Sequence, residues 1–138
     1  MTAAYPVLNP ARSGVYRAPQ HVESVRESLG AAALWLDVDL TSVRNKSELL
    51  SALQAACGFP ATFGHNWDAL TDALQDMSCC PAPAYVLYLQ HAERAARSLG
   101  PEWAILLEVL IESAGYWKAH DKPFVVFVEG AAELPPWI

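Results

Sequence analysis

Basic residues are scarce in this chain. Nine Lys and Arg stand against fifteen Asp and Glu in 138 residues, a net charge of -6, which disfavours a nonspecific grip on polyanionic DNA or RNA or on an acidic membrane face. Cysteine is also sparse. Cys57, Cys79 and Cys80 are odd in number and hold no C-x-x-C pair, so the usual zinc and dithiol-exchange patterns are missing and free thiols are the simplest reading. The four histidines, His21, His65, His91 and His120, are scattered without helical spacing or an H-E-x-x-H motif, which gives a histidine-based metal site no support. Walker loops, G-x-G-x-x-G and G-x-S-x-G are absent as well. No apolar run approaches the roughly 20 residues that span a bilayer, and the first residues lack the charged start and apolar stretch of a signal peptide. The expectation is a cytoplasmic protein without cofactor or metal, with no nucleic-acid or membrane partner, and with a basic protein as the natural counterpart of its charge.

What is present is core material. Apolar residues make up 53% and aromatics 10%, enough for one compact domain of this length. Segments 33–39 (ALWLDVD), 84–90 (AYVLYLQ) and 124–129 (FVVFVE) are nearly continuous in apolar character, as strands are when helices cover both faces of a parallel sheet. Helical patterns lie between them, so the spacing predicts an α/β fold, a three-stranded parallel sheet packed by helices. Residues 1–33 form an N-terminal extension, 34–130 the principal domain and 131–138 a stiff tail. Within the extension, 1–19 suits an extended segment, because Pro6, Pro10, Pro19 and Gly14 interrupt any period, while 21–29 suits a short helix stopped by Gly30. Asn45 with Glu48 resembles a capping box ahead of a leucine-rich helix ending near Cys57 and Gly58. Pro101 opens a long helix whose stripe is Trp103, Leu106, Leu107, Leu110, Ile111, Ala114 and Trp117.

The informative stretch is 63–77, FGHNWDALTDALQDM, which Asn66 can cap as a helix running to about Met77. At about 100° per residue, Trp67, Leu70, Leu74 and Met77 share one side, and Asp68, Asp72 and Asp76 share the other. An acidic solvent face is ordinary, and for Asp68 in the first turn it suffices, since the helix dipole favours a negative charge there by about 0.3–1 kcal/mol. Asp72 lies beyond that benefit, Asp76 opposes the dipole, and like charges four apart cost about 0.2–0.5 kcal/mol per pair. A row kept against its own repulsion, with no Lys or Arg in the helix, suits a cationic partner. The same carboxylates make a poor hard-cation site on a convex ridge, and a solvent-facing row lacks the burial that raises a general acid's pKa. Gly64 is expected to serve a positive φ in the turn, His65 to sit exposed beside the ridge, and Glu112 with Glu108 to lie on the polar side of the long helix.

Phe59-Pro60, Phe63-Gly64, Asn66-Trp67-Asp68-Ala69-Leu70 and Asp72 together resemble the barstar family of ribonuclease inhibitors, over about residues 34–129. The resemblance implies a three-stranded parallel sheet with helices around it, and a helix and preceding loop that plug the active site of a small basic ribonuclease. Carried over by position, it implies partner contacts from Asp68, Asp72, Asn66, Gly64 and, on the long helix, Glu112. Thr62 and Thr71 stand where the family presents aromatic side chains, and Asp76 with Met77 replace a glycine and a tryptophan. The function expected is therefore a noncatalytic, monomeric inhibitor of a basic ribonuclease or similar nuclease toxin. The alternatives are a small carboxylate or metal-dependent hydrolase using Asp68, Asp72 and Glu112, and a general protein-interaction domain that has lost nuclease binding.

Overall fold

The computed structural model describes residues 4–137. Strands β1 (Gly14–Arg17), β2 (Leu34–Asp39), β3 (Tyr85–Gln90) and β4 (Phe124–Val128) form an all-parallel sheet in the order β1-β4-β3-β2. Helices α1 (Ala4–Val7), α2 (Val22–Leu29), α3 (Lys46–Cys57), α4 (Trp67–Asp76), α5 (Ala92–Leu99) and α6 (Pro101–Ala119) complete it. The α/β class and the parallel sheet match the sequence reading, but the strand count is four, not three. The extra strand lies in the 1–19 stretch expected to be irregular, which also holds α1 and a 3-10 turn at Pro10–Arg12. With four residues and only Val15 buried, β1 carries no apolar run that would announce it.

Side chains alternate between two cores, which is why the interior strands read as unbroken apolar runs. Leu36, Val38, Leu87, Leu89, Phe124, Val126 and Val128 face α3 to α6 with Leu49, Leu53, Leu70, Leu74, Leu106 and Leu110. Val86, Tyr88, Val125 and Phe127 face the other way, where Val22, Val25 and Leu29 of α2 close the second face. The tail does structural work here. Arg17 N donates to Pro135 O at 2.8 Å, so the tail covers the outer edge of β1, and Trp137 is buried against Tyr16 and Phe127, with ring centroids 4.8 and 5.4 Å away.

On the long helix the expected stripe holds except at Ile111, which is 54% exposed, while Val109 and Ser113 take the inward positions. Ser113 is tolerated there because its hydroxyl donates to Val109 O at 2.8 Å. The helix α4 lies against α6, fastened where Trp117 Nε1 donates to Leu74 O at 2.8 Å.

Candidate partner-binding face

Asn66 sets the start of α4 and the shape of the loop before it. Its Oδ1 accepts from Ala69 N at 2.7 Å, and its Nδ2 donates to Gly64 O at 3.1 Å. Met77 ends the helix in a left-handed conformation, φ 50°, its N–H donating to Ala73 O at 3.0 Å. Between those ends the helix is divided as its pattern predicts: Leu70 and Leu74 are buried, Trp67 is half-buried, and Asp68, Asp72 and Asp76 are exposed.

The three aspartates are not equivalent. Among the described residues Asp68 and Asp72 have no hydrogen bond or ion pair, and the nearby Lys46 ammonium sits over the Trp67 ring, 5.2 Å from its centroid. Asp76 is occupied at home: one oxygen accepts from Ser78 N at 3.2 Å and also from the Ser78 hydroxyl. It closes the turn that leads out of α4, so the uncommitted carboxylates of the row are two.

The loop departs from expectation at one residue. Gly64 does not take the positive φ; His65 does, at 48°. Gly64 instead sits at a close approach, since a Cβ there would lie 3.2 Å from Ala69 Cβ and 3.3 Å from Asn66 Nδ2, tight enough to push a neighbour by a few tenths of an ångström. His65 is exposed but engaged, its Nε2 2.8 Å from Gln54 Oε1, while Gln54 Nε2 donates to Pro60 O at 3.0 Å. Gln54 on α3 thus braces the loop from behind, a role its sequence gave no sign of.

Loop and helix enclose a groove of about 580 Å³. It brings together four of the residues singled out from sequence, Thr62, Gly64, Asp72 and Asp76. Asp68, His65, Asn66 and Thr71 do not line it, and Glu112 is exposed on α6 outside it. Sequence reasoning missed the groove because its walls are made by what is small. Ala69 and Ala73, four apart beside the aspartates, leave the space, and Ser78 and Cys79 close its end. The three cysteines are free, and Cys79 and Cys80 both direct their sulfurs at Cys57 O, at 3.6 and 3.2 Å. Burial pushes the Cys57 thiol up to about 12.

Among the described residues no group of three or more His, Cys, Asp or Glu is arranged to hold a metal ion, and no helix is long and apolar enough to cross a membrane. The family model described as Barstar (barnase inhibitor) matches residues 33–129, and the chain belongs to that family. No curated protein matches the chain. The family's members are inhibitors and not enzymes, and the family implies a nuclease partner in general terms.

Proposed function

We propose that this chain is a noncatalytic inhibitor of a basic ribonuclease or similar nuclease toxin, acting as a monomer in the cytoplasm. Asp68 and Asp72 enter the anion-binding cleft of the enzyme, accept charge-assisted hydrogen bonds from its Arg, Lys or His side chains, and occupy the place of substrate phosphates. The loop residues Asn66 and Gly64, with Thr62 and His65 beside them, shape the contact around the helix. Thr71, Asp76 and Glu112 extend it. Inhibition needs no bond made or broken.

The observation that carries this reading is that Asp68 and Asp72 stand exposed on one face of α4 with no partner among the described residues. An unpaired like-charge row costs folding energy, so its return comes from binding. The test is inhibition of RNA cleavage across a panel of small basic ribonucleases, with association rates measured over a range of ionic strength. Steering between a chain of net charge -6 and a basic cleft makes association slow steeply as salt is added. Association indifferent to salt, or an affinity unchanged by Asp72→Ala, removes the mechanism.

A further inference from the structure

We infer that the outward face of α6 pairs with the same face of a second copy of this chain, the two helices running antiparallel. The inference goes beyond the inhibitor reading and concerns the free chain when it is concentrated.

Among the described residues two large apolar side chains stand exposed, Ile105 at 37% and Ile111 at 54%, and both belong to α6. Ile111 lies on a seam of exposed residues, Ala104, Glu108, Ile111, Gly115 and Lys118, spaced by four, three, four and three. That is the 3.5-residue period by which one helix packs along another. Gly115 is a second mark. It sits inside a 19-residue helix, where glycine is disfavoured, and a Cβ built on it would meet no atom within 4 Å. Nothing within the chain requires glycine there, whereas a bare backbone lets a side chain from outside come close.

The seam is complementary to itself when reversed. Glu108 and Lys118 are equally far along the chain from Ser113, and so are Ile111 and Gly115. A two-fold axis at that level places Glu108 of each copy against Lys118 of the other, and Ile111 of each on the backbone at Gly115 of the other. Within one chain neither the Glu108 nor the Lys118 side chain has a hydrogen bond or ion pair among the described residues. A net charge of -6 on each copy opposes the pair at long range, but physiological salt screens beyond about 8 Å, and the seam carries one charge of each sign. One helix against one helix falls short of the roughly 1,200 Å² of a standard interface, so the pair is weak, half formed at a concentration on the order of 0.1 mM. It also leaves α4 free. Trp117, which bonds Leu74 of that helix, lies about 160° round α6 from Gly115, so each copy still meets a nuclease singly.

The experiment is sedimentation equilibrium of the full chain from about 10 μM to about 1 mM at physiological salt. The weight-average mass is expected to rise from 15.1 kDa towards twice that value. A mass that stays single throughout overturns the inference. Ile111→Glu is expected to abolish pairing with the thermal melt of the dilute chain unchanged, and undiminished pairing in it would place any interface elsewhere. Glu108→Lys and Lys118→Glu separate this pairing from a merely sticky face. Each alone sets like charges together and is expected to weaken pairing about tenfold. Mixed in equal amounts, the two variants are expected to pair with each other as strongly as the parent chain, because every seam charge then faces its opposite. Variants that pair alone as well as the parent, or that stay single when mixed, overturn the antiparallel arrangement and with it the inference. Pairing is read without a nuclease, so its failure and that of the inhibitor reading remain distinct.

Discussion

The indole N–H of Trp117 on α6 donates to the main-chain carbonyl of Leu74, in the last turn of α4, at 2.8 Å. The last four carbonyls of a helix have no acceptor role within it, and this bond satisfies one of them from a neighbouring element. It therefore holds the C-terminal half of the acidic helix in place relative to the sheet-packed α6. Tyr85 supports the indole from below, with ring centroids 5.8 Å apart.

Trp117→Phe keeps most of the ring contact and removes the donor. The expected cost is about 1 kcal/mol, the scale of a hydrogen bond whose acceptor is left half-buried. Urea unfolding of the variant checks the figure. Amide exchange near Leu74 is expected to quicken, and an unchanged exchange pattern would show that α4 is positioned by apolar packing alone.

The proposed inhibition sets stability against binding in the aspartate row. Asp68 lies in the first turn and benefits from the dipole, so Asp68→Asn is expected to lose about 0.3–1 kcal/mol of dipole stabilisation, offset by about 0.2–0.5 kcal/mol from the repulsion with Asp72 that it also removes. Asp72 has Asp68 and Asp76 each four residues away, with no cation to relieve it. Asp72→Asn is therefore expected to raise stability, by about 0.2–0.5 kcal/mol for each repulsion removed. Thermal melts at low ionic strength separate the two variants. Loss of nuclease inhibition together with a gain in stability at Asp72 marks a residue held for its partner.

Much of the fold was legible because burial on both faces leaves a plain mark on sequence. The runs at β2, β3 and β4 are apolar at every position that meets either core, and Asn66 announces α4 by the chemistry of its side chain alone. What stayed hidden depends on partners far along the chain. The strand β1 is held to β4 in register Gly14 to Val125, and its outer edge is covered by Pro135, contacts across more than a hundred positions that no local pattern contains. The tail, read from sequence only as stiff, is that cover.

The candidate site was legible as a charge pattern but not as a shape. Spacing by four identified the aspartate face, yet it could not distinguish Asp76, which is claimed by Ser78 two residues later, from Asp72, which is not. Gly64 was read by its usual role in turns, whereas the left-handed residue is His65 and the glycine answers to the nearness of Ala69. The groove is defined by absent side-chain volume, which composition does not display.

The thiols are expected to be slow. Cys57 is 1% exposed with its pKa raised to about 12 by burial, and burial with the neighbouring Cys80 thiol pushes Cys79 to about 11. At pH 8 about one Cys79 in a thousand is then a thiolate, the form that reacts. Peptide mapping after iodoacetamide treatment is expected to find Cys57 unmodified in the folded chain and Cys79 modified at a rate that climbs with pH towards 11. Both become fully modified in urea. Rapid alkylation of Cys57 at neutral pH without denaturant would mean that the packing of α3 against the 77–80 turn opens readily.

Alkaline pH is expected to unfold the domain earlier than its acidic groups suggest, through Tyr88. Its ring is 6% exposed in the α2-facing core, and burial, with Glu129 close by, pushes the phenol up to about 12. The unfolded chain loses the same proton near the ordinary value of about 10. The folded state thus binds more protons between those two values, and stability, complete below about 10, falls as pH rises through about 12. The slope attributable to one such group is at most about 1.4 kcal/mol per pH unit. Tyr88→Phe removes the group with the loss of a 3.3 Å hydrogen bond to Glu129 Oε2, and is expected to flatten that part of the curve while lowering the plateau at neutral pH. Urea unfolding between pH 9 and about 12 measures both, with tyrosinate absorbance following the ionisation. An identical alkaline slope in the variant would assign the loss of stability to other tyrosines or to lysines, and would place the Tyr88 hydroxyl in contact with water.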